Sequence, residues 1–135
     1  LAELGTKIQQ IFAGNVTEKA KITADSAIAQ HPITQAVDGM ADTYWQAAYG
    51  QEFDTITLKF PKPQKVSCVV LGEHLPTGQR IESGEIWADG SKVSEFTVVG
   101  HKRICRFAPV EVLTLTIKIT ASRTEPTLRL LAVYQ

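Results

Sequence analysis

The chain is short of most features that commit a protein to a specialised partner. Lys plus Arg and Asp plus Glu each total 14 among its 135 residues, so the formal net charge is zero. A protein built to hold a polyanion carries a long-range positive field, so nucleic acid is not the expected partner. No run approaches the roughly 20 apolar residues of a membrane-spanning helix, and no membrane span is expected. Only two cysteines occur, Cys68 and Cys105, each in an apolar, strand-like run where a free thiol behaves as a small hydrophobe. His31, His74 and His101 are scattered, with no HExxH or CxxC spacing, which argues against zinc. Phosphate-cradling glycine loops are missing too. The start at Leu1 shows no Met, no basic stretch and no apolar leader, and is expected to be a cut in a longer chain.

What remains is 44% hydrophobic and 21% charged residues, the composition of one soluble globular domain. Leu1, Leu4, Ile8 and Ile11 recur at helical spacing, and Ala13-Gly14-Asn15 supplies a stop, so a helix is expected over Leu1–Ala13. Such a short helix needs a surface to cover, either its own domain or an upstream one. Residues 1–19 are expected to be leader and linker, and 20–135 the domain proper.

From there the period changes to two. Ile56, Leu58 and Phe60 share one side of Thr55–Phe60, the pattern of a half-buried strand, and Pro61-Lys62-Pro63 should end it. Val66–Leu71 is apolar on both faces and reads as a central strand. Asp89-Gly90 between Glu85–Ala88 and Lys92–Val99 is a hairpin signal, since both central residues tolerate positive φ. Val112–Thr120 puts Leu113, Leu115, Ile117 and Ile119 on one side, and Leu128–Tyr134 closes the chain as a last strand. The expected fold class is all-β, an antiparallel β-sandwich with a short N-terminal helix.

The stretch Ala36–Trp45 places Asp38, Asp42 and Thr43 around Gly39 and ends on Tyr44-Trp45. Oxygen-rich turns of this kind suit a hard cation such as calcium, and they also suit a plain turn whose aspartates cap backbone amides. Trp45, following the turn, is expected to be buried.

The Val-Asp-Gly-x-x-Asp-Thr-x-Trp pattern from Val37 to Trp45 resembles the signature of the discoidin, or coagulation factor 5/8 type C, fold, to which carbohydrate-binding module family 32 belongs. Lys21–Ser26, His31–Trp45, Gly78-Gln79-Arg80, Lys102-Arg103-Ile104 and Pro126–Tyr134 are similar to the C-terminal domain of glycoside hydrolase family 29 α-L-fucosidases. The leader is similar to the helix that joins their catalytic barrel to this domain. The resemblance implies a galactose-binding-like jelly roll, a periplasmic or secreted setting, and an upstream catalytic domain as partner. It also implies a Ca2+ site made by Gln35, Asp38, Met40 and Thr43, with Leu130 where the family often has an acidic ligand.

No catalytic residues are expected. A glycosidase needs two carboxyl groups of unlike environment flanking a scissile bond, whereas Asp38 and Asp42 share one hydrated turn. For carbohydrate contact the strong donors in loops are His74, Arg80 and His101, with Arg123 at the rim. Glu73 stands where family 32 modules often carry an arginine, and Tyr49 is the best aromatic platform. The resemblance implies a non-catalytic accessory domain of an exo-acting α-L-fucosidase that packs on the catalytic barrel, with glycan contact as a further role. The alternatives are a stand-alone lectin-like module for galactose- or fucose-type sugars, or a discoidin domain binding protein or lipid. The last usually presents apolar or basic loop tips, which are not evident in Ala47–Glu52 or Glu73–Gly78.

Overall fold

Alternation at a period of two builds the framework. A computed structural model describes residues 15–40 and 42–135, so the helix expected over Leu1–Ala13 lies outside the described residues. Eight strands follow: β1 (Lys21–Ala24), β2 (Trp45–Gln46), β3 (Asp54–Gly72), β4 (Ile81–Ala88), β5 (Ser91–Phe96), β6 (Arg103–Ser122), β7 (Thr127–Leu128) and β8 (Leu130–Tyr134). All pairings are antiparallel. The larger sheet runs β1-β3-β6-β4-β5, with β8 also on β3, and β2 and β7 form a two-stranded piece. This is the expected all-β sandwich.

The core follows the predicted faces. Ile56, Leu58 and Phe60 of β3 and Leu115, Ile117 and Ile119 of β6 are buried and directly paired at Ile56–Ile117 and Leu58–Leu115. Burying each such side chain contributes about 1.5–3 kcal/mol. The second half of β3 is central as expected, with β6 on one edge and β8 on the other. Asp89 (φ 48°) and Gly90 (φ 86°) make the β4–β5 turn. Trp45 and Leu128, paired across β2–β7, are both fully buried, so the small sheet covers the core. Trp45 also donates its Nε1–H to the Ser26 carbonyl at 2.9 Å.

Three local expectations need correction. Pro61-Lys62-Pro63 does not end the strand; β3 continues to Gly72, and the prolines only interrupt the ladder between Lys59 and Gln64. Proline cannot donate, so the missing hydrogen bonds become a bulge in a long strand. Leu113 points outward, half exposed, while Val112 is buried. The phase slips because the Leu113 and Thr114 N–H groups turn to the Asp89 carboxylate, at 3.2 and 2.8 Å. Finally, packing begins before residue 20. Asn15 bridges to Tyr134, and buried Val16 and Thr17 exchange hydrogen bonds with Val133.

Cys68 and Cys105 are free. Cys68 pairs with Arg106 and Cys105 with Val69, so alternation sends the two thiols to opposite faces of the β3–β6 ribbon. Burial pushes both thiols above their ordinary pKa, which keeps them protonated and poor nucleophiles.

Candidate functional site

The Gln35–Trp45 turn gathers the four residues proposed as cation ligands. The Thr43 hydroxyl lies 2.8 and 2.6 Å from the two Asp38 carboxylate oxygens, and 3.4 Å from each of the Gln35 and Met40 carbonyl oxygens. Asp38 Oδ1 also accepts the Met40 N–H at 2.9 Å, which winds the loop around the carboxylate, with Gly39 at φ 75°. A hydroxyl has one proton to give, yet three acceptor-only groups surround it. The shortfall of donors is what a hard cation relieves, so the residues present fit calcium. Leu130 opens β8 and lines the same hollow of about 380 Å3 as Asp38 and Met40, putting hydrocarbon there. Glu18 lines it as well. Arg129, a further wall, donates to the His101 carbonyl at 2.6 Å.

Directly after this turn comes a feature that linear spacing could not show. His31 and His74 stack on Tyr44, with centroid separations of 3.8 and 3.7 Å and ring planes inclined by 19° and 11°. The histidines that looked isolated in sequence are thus brought to one tyrosine. His31 Nδ1 is 2.8 Å from Gln35 Oε1, and Gln35 in turn donates to the Gln30 carbonyl. The stack is therefore tied to the Gln35–Trp45 turn through Gln35. Burial, with the positive charge of His31 and Arg80 nearby, holds the His74 imidazole below its ordinary pKa.

Arg80 stands beside this stack. Its guanidinium donates to the Glu125 carbonyl at 2.9 Å and, at 3.4 Å, to the Thr77 carbonyl. Its own carbonyl accepts the Arg123 N–H at 2.8 Å, so Arg123 projects from the adjoining loop and is exposed. The Glu125 carboxylate accepts from Thr124 and, at 3.2 Å, from the Gly50 N–H; these bonds hold its pKa below the usual carboxylate value. Gly50 follows Tyr49, a residue that is 77% exposed. The base of this loop is fixed by Ser26, which donates to Asp54 at 2.6 Å and accepts the Ala48 N–H at 3.0 Å. Burial raises the Asp54 carboxyl, opposed by hydrogen bonds from Ser26 and the Asp25 N–H.

The structure thus gathers His74, Arg80 and Arg123 at one end of the sandwich. His101 meets Arg129 instead, through its carbonyl and, at 3.4 Å, its ring. Glu73 is not a loop contact at all. It is completely buried and accepts three backbone N–H groups. The loops expected to lack apolar tips carry Tyr49 and half-exposed Leu75, and Phe53 beyond them is 65% exposed. Reading by residue type missed His31 and Tyr44, because their role lies only in who stacks on whom.

The fold has solved counterparts. A glycoside hydrolase family 29 fucosidase of Ruminococcus gnavus, in complex with fucose, aligns with a TM-score of 0.86 at 23% identity, over 98% of this chain and 29% of that one. The family 32 carbohydrate-binding module of C. perfringens NanJ, in complex with galactose, aligns at 0.78 and 20% identity over 90% of this chain and 98% of the module. A chitosan-binding module of Paenibacillus sp. IK-5, in complex with chitotriose, gives 0.78 at 21% identity over 90% of this chain and all of that module. The chain spans about three-tenths of the length of the fucosidases it matches. No curated protein matches it.

The fold is therefore the discoidin-like sandwich found in carbohydrate-binding modules. Within that class the chain belongs to the family described as a domain of unknown function, DUF7402, whose model matches residues 15–128.

Proposed function

We propose that this domain is a non-catalytic carbohydrate-binding module, and that it serves as an accessory domain of an exported, exo-acting α-L-fucosidase. The observation that carries the binding reading is the His31–Tyr44–His74 stack beside Arg80. It joins aromatic surface for a sugar's apolar side to fixed donors for its hydroxyls, on loops held by a rigid sheet. Arg123 and Tyr49 extend that surface. His101, turned to Arg129, contributes from the flank.

The test is a glycan array of fucosyl, galactosyl and amino-sugar ligands, followed by titration of the variants. His74→Ala and Arg80→Ala are expected to weaken binding about tenfold or more, and His101→Ala less. Binding unchanged in both strong variants would remove the site. The same protein is expected to leave an aryl-fucoside intact, because Asp38 is engaged by Thr43 and Glu73 is sealed in the core. Turnover would overturn the non-catalytic reading. The exposed Tyr49 and Phe53 favour a second reading, docking on lipid or protein, which a vesicle co-sedimentation assay separates from the first.

The Asp38 turn is proposed to hold calcium through the Gln35 and Met40 carbonyls, the Asp38 carboxylate and the Thr43 hydroxyl. A cation that binds only the native state stabilises it by about 1–3 kcal/mol at ten to a hundred times its Kd. Added calcium should raise the melting temperature and a chelator should lower it, with Asp38→Ala losing the response. An identical response in Asp38→Ala would place the ion elsewhere.

A further inference from the structure

Arg80 is a half-buried cation with no carboxylate to neutralise it; among the described residues every ion pair involves Lys92 of β5. Its guanidinium is pinned instead by two neutral carbonyls. Nη1 donates to Glu125 at 2.9 Å and Nε to Thr77 at 3.4 Å. A guanidinium is a planar fork of donors, and these two bonds leave its Nη2 side for a further acceptor. Arg123 brings a second charge. Its N–H meets the Arg80 carbonyl at 2.8 Å, where β4 begins and β6 has just ended, and the residue is exposed. Like charges at facing positions of an antiparallel pair repel unless something anionic joins them. Glu125, the carboxylate nearest in sequence, offsets them little. It accepts from the Thr124 hydroxyl and the Gly50 N–H, and Arg80 is the weakest of the influences that lower its pKa. Burial first, then the charges of His31 and Arg80, hold His74 below its ordinary pKa, so the field at the stack is positive.

We propose that this site selects acidic glycans, sugars bearing a carboxylate or a sulfate, with Arg80 as the anion-binding fork and Arg123 as its flanking charge. The proposal rests on the carbohydrate-binding reading and narrows it to a substrate class. Placement supports it first. Arg80 and His74 are carried by one short turn, in which the Thr77 N–H and hydroxyl donate to the His74 carbonyl at 3.2 and 2.8 Å. The Arg80 N–H is fixed in turn on the buried Glu73 carboxylate at 2.7 Å. The fork is thus set beside the stack before a ligand arrives, and little conformational entropy is lost on binding. Chemistry supports it second. A carboxylate or sulfate offers two acceptor oxygens to parallel N–H groups, and the charge strengthens both bonds. A uronic acid carries its carboxylate on the rim of the ring, so a ring lying against the stack presents that group to the neighbouring guanidinium. The same charges repel an ammonium group, which selects against amino sugars.

The test titrates the full chain with galacturonic and glucuronic acid disaccharides and with their methyl esters, which keep the shape and lose the charge. Galactose 6-sulfate against galactose is the second pair, and it separates sulfate from carboxylate as the favoured group. The charged member of at least one pair is expected to bind about tenfold or more tightly than its neutral partner at low salt. The gap should shrink as salt is raised. Arg80→Gln should close the gap and Arg123→Gln should narrow it. Arg80→Lys, which keeps the charge and loses the fork, should restore only part of it. Native Trp45 fluorescence certifies that each variant is folded. Equal affinity for charged and neutral partners, or binding confined to the neutral sugars of the array, overturns the acidic preference and leaves the carbohydrate-binding reading standing. A gap unchanged in both Arg80→Gln and Arg123→Gln overturns the assignment to these arginines. Binding to none of these sugars, and to none on the array, sinks the carbohydrate-binding reading and this inference with it.

Discussion

Glu73→Gln is expected to remove about 2–4 kcal/mol of stability, lowering the melting temperature by about 10 °C. Glu73 sits immediately after β3 with no solvent contact. Its Oε1 accepts the N–H groups of Arg80 at 2.7 Å and Ile81 at 2.8 Å, and Oε2 accepts that of Gly100 at 2.7 Å. Its own N–H donates to the Gly100 carbonyl at 2.8 Å. One carboxylate therefore ties the end of β3 to the start of β4 and to the loop before β6. Glutamine keeps the size but turns one acceptor into a donor. Whichever way the amide settles, at least one buried N–H then faces another, and an unmet buried donor costs its full desolvation. Glu73→Ala strips all three N–H groups and should be worse. Exposed Glu82→Gln is the control and should stay within about 0.5 kcal/mol. Urea unfolding measures all three. A Glu73→Gln midpoint matching the control would show that the carboxylate is not the tie. Because Arg80 hangs on this carboxylate, glycan binding should weaken in the same variant.

Much of the fold was legible because its signals are local. The alternation at Ile56, Leu58 and Phe60, the Asp89-Gly90 turn and the burial of Trp45 each depend on a few neighbouring residues and on the pleat. The convergence of Gln35, Asp38, Met40 and Thr43 is of the same kind, within one turn. The fold failed to read through where a long-range partner decided the outcome. Leu113 faces water because Asp89, 24 positions away, takes its N–H. Glu73 looked like a loop charge because its three donors lie on segments that only the sandwich brings together. The aromatic stack joins positions 31, 44 and 74 from three loops, and no spacing rule predicts that two distant histidines share a tyrosine. Tyr44 carried a faint signal, as the polar-tipped aromatic directly before a buried tryptophan.

Tyr44→Ala is expected to act on stability, binding and pH response together. Truncating a half-buried ring held between two others forfeits packing on both faces, at a cost of about 2–3 kcal/mol. His31 and His74 then lose the surface that orients them, and glycan affinity should fall about tenfold or more. Tyr44→Phe keeps the stack and should retain most of the stability. The pH response follows from His74, whose imidazole is held below its ordinary 6.5 by burial first and by His31 and Arg80 next. As pH falls below that ordinary value, the unfolded chain takes up a proton that folded His74 resists, so the unfolded state gains and stability declines. The decline should continue until pH passes the folded value. Glu125, held low, loses its contribution only in the more acidic carboxylate range, while Asp54, held high, acts there with opposite sign. Melting curves from neutral pH downward through the imidazole range therefore test the suppression of His74 apart from these two carboxyl groups. His74→Gln should flatten that part of the profile, and Tyr44→Ala should reduce its slope by opening His74 to water. A slope unaltered by both would mean that another group sets the pH dependence and that the stack does not hold His74 neutral.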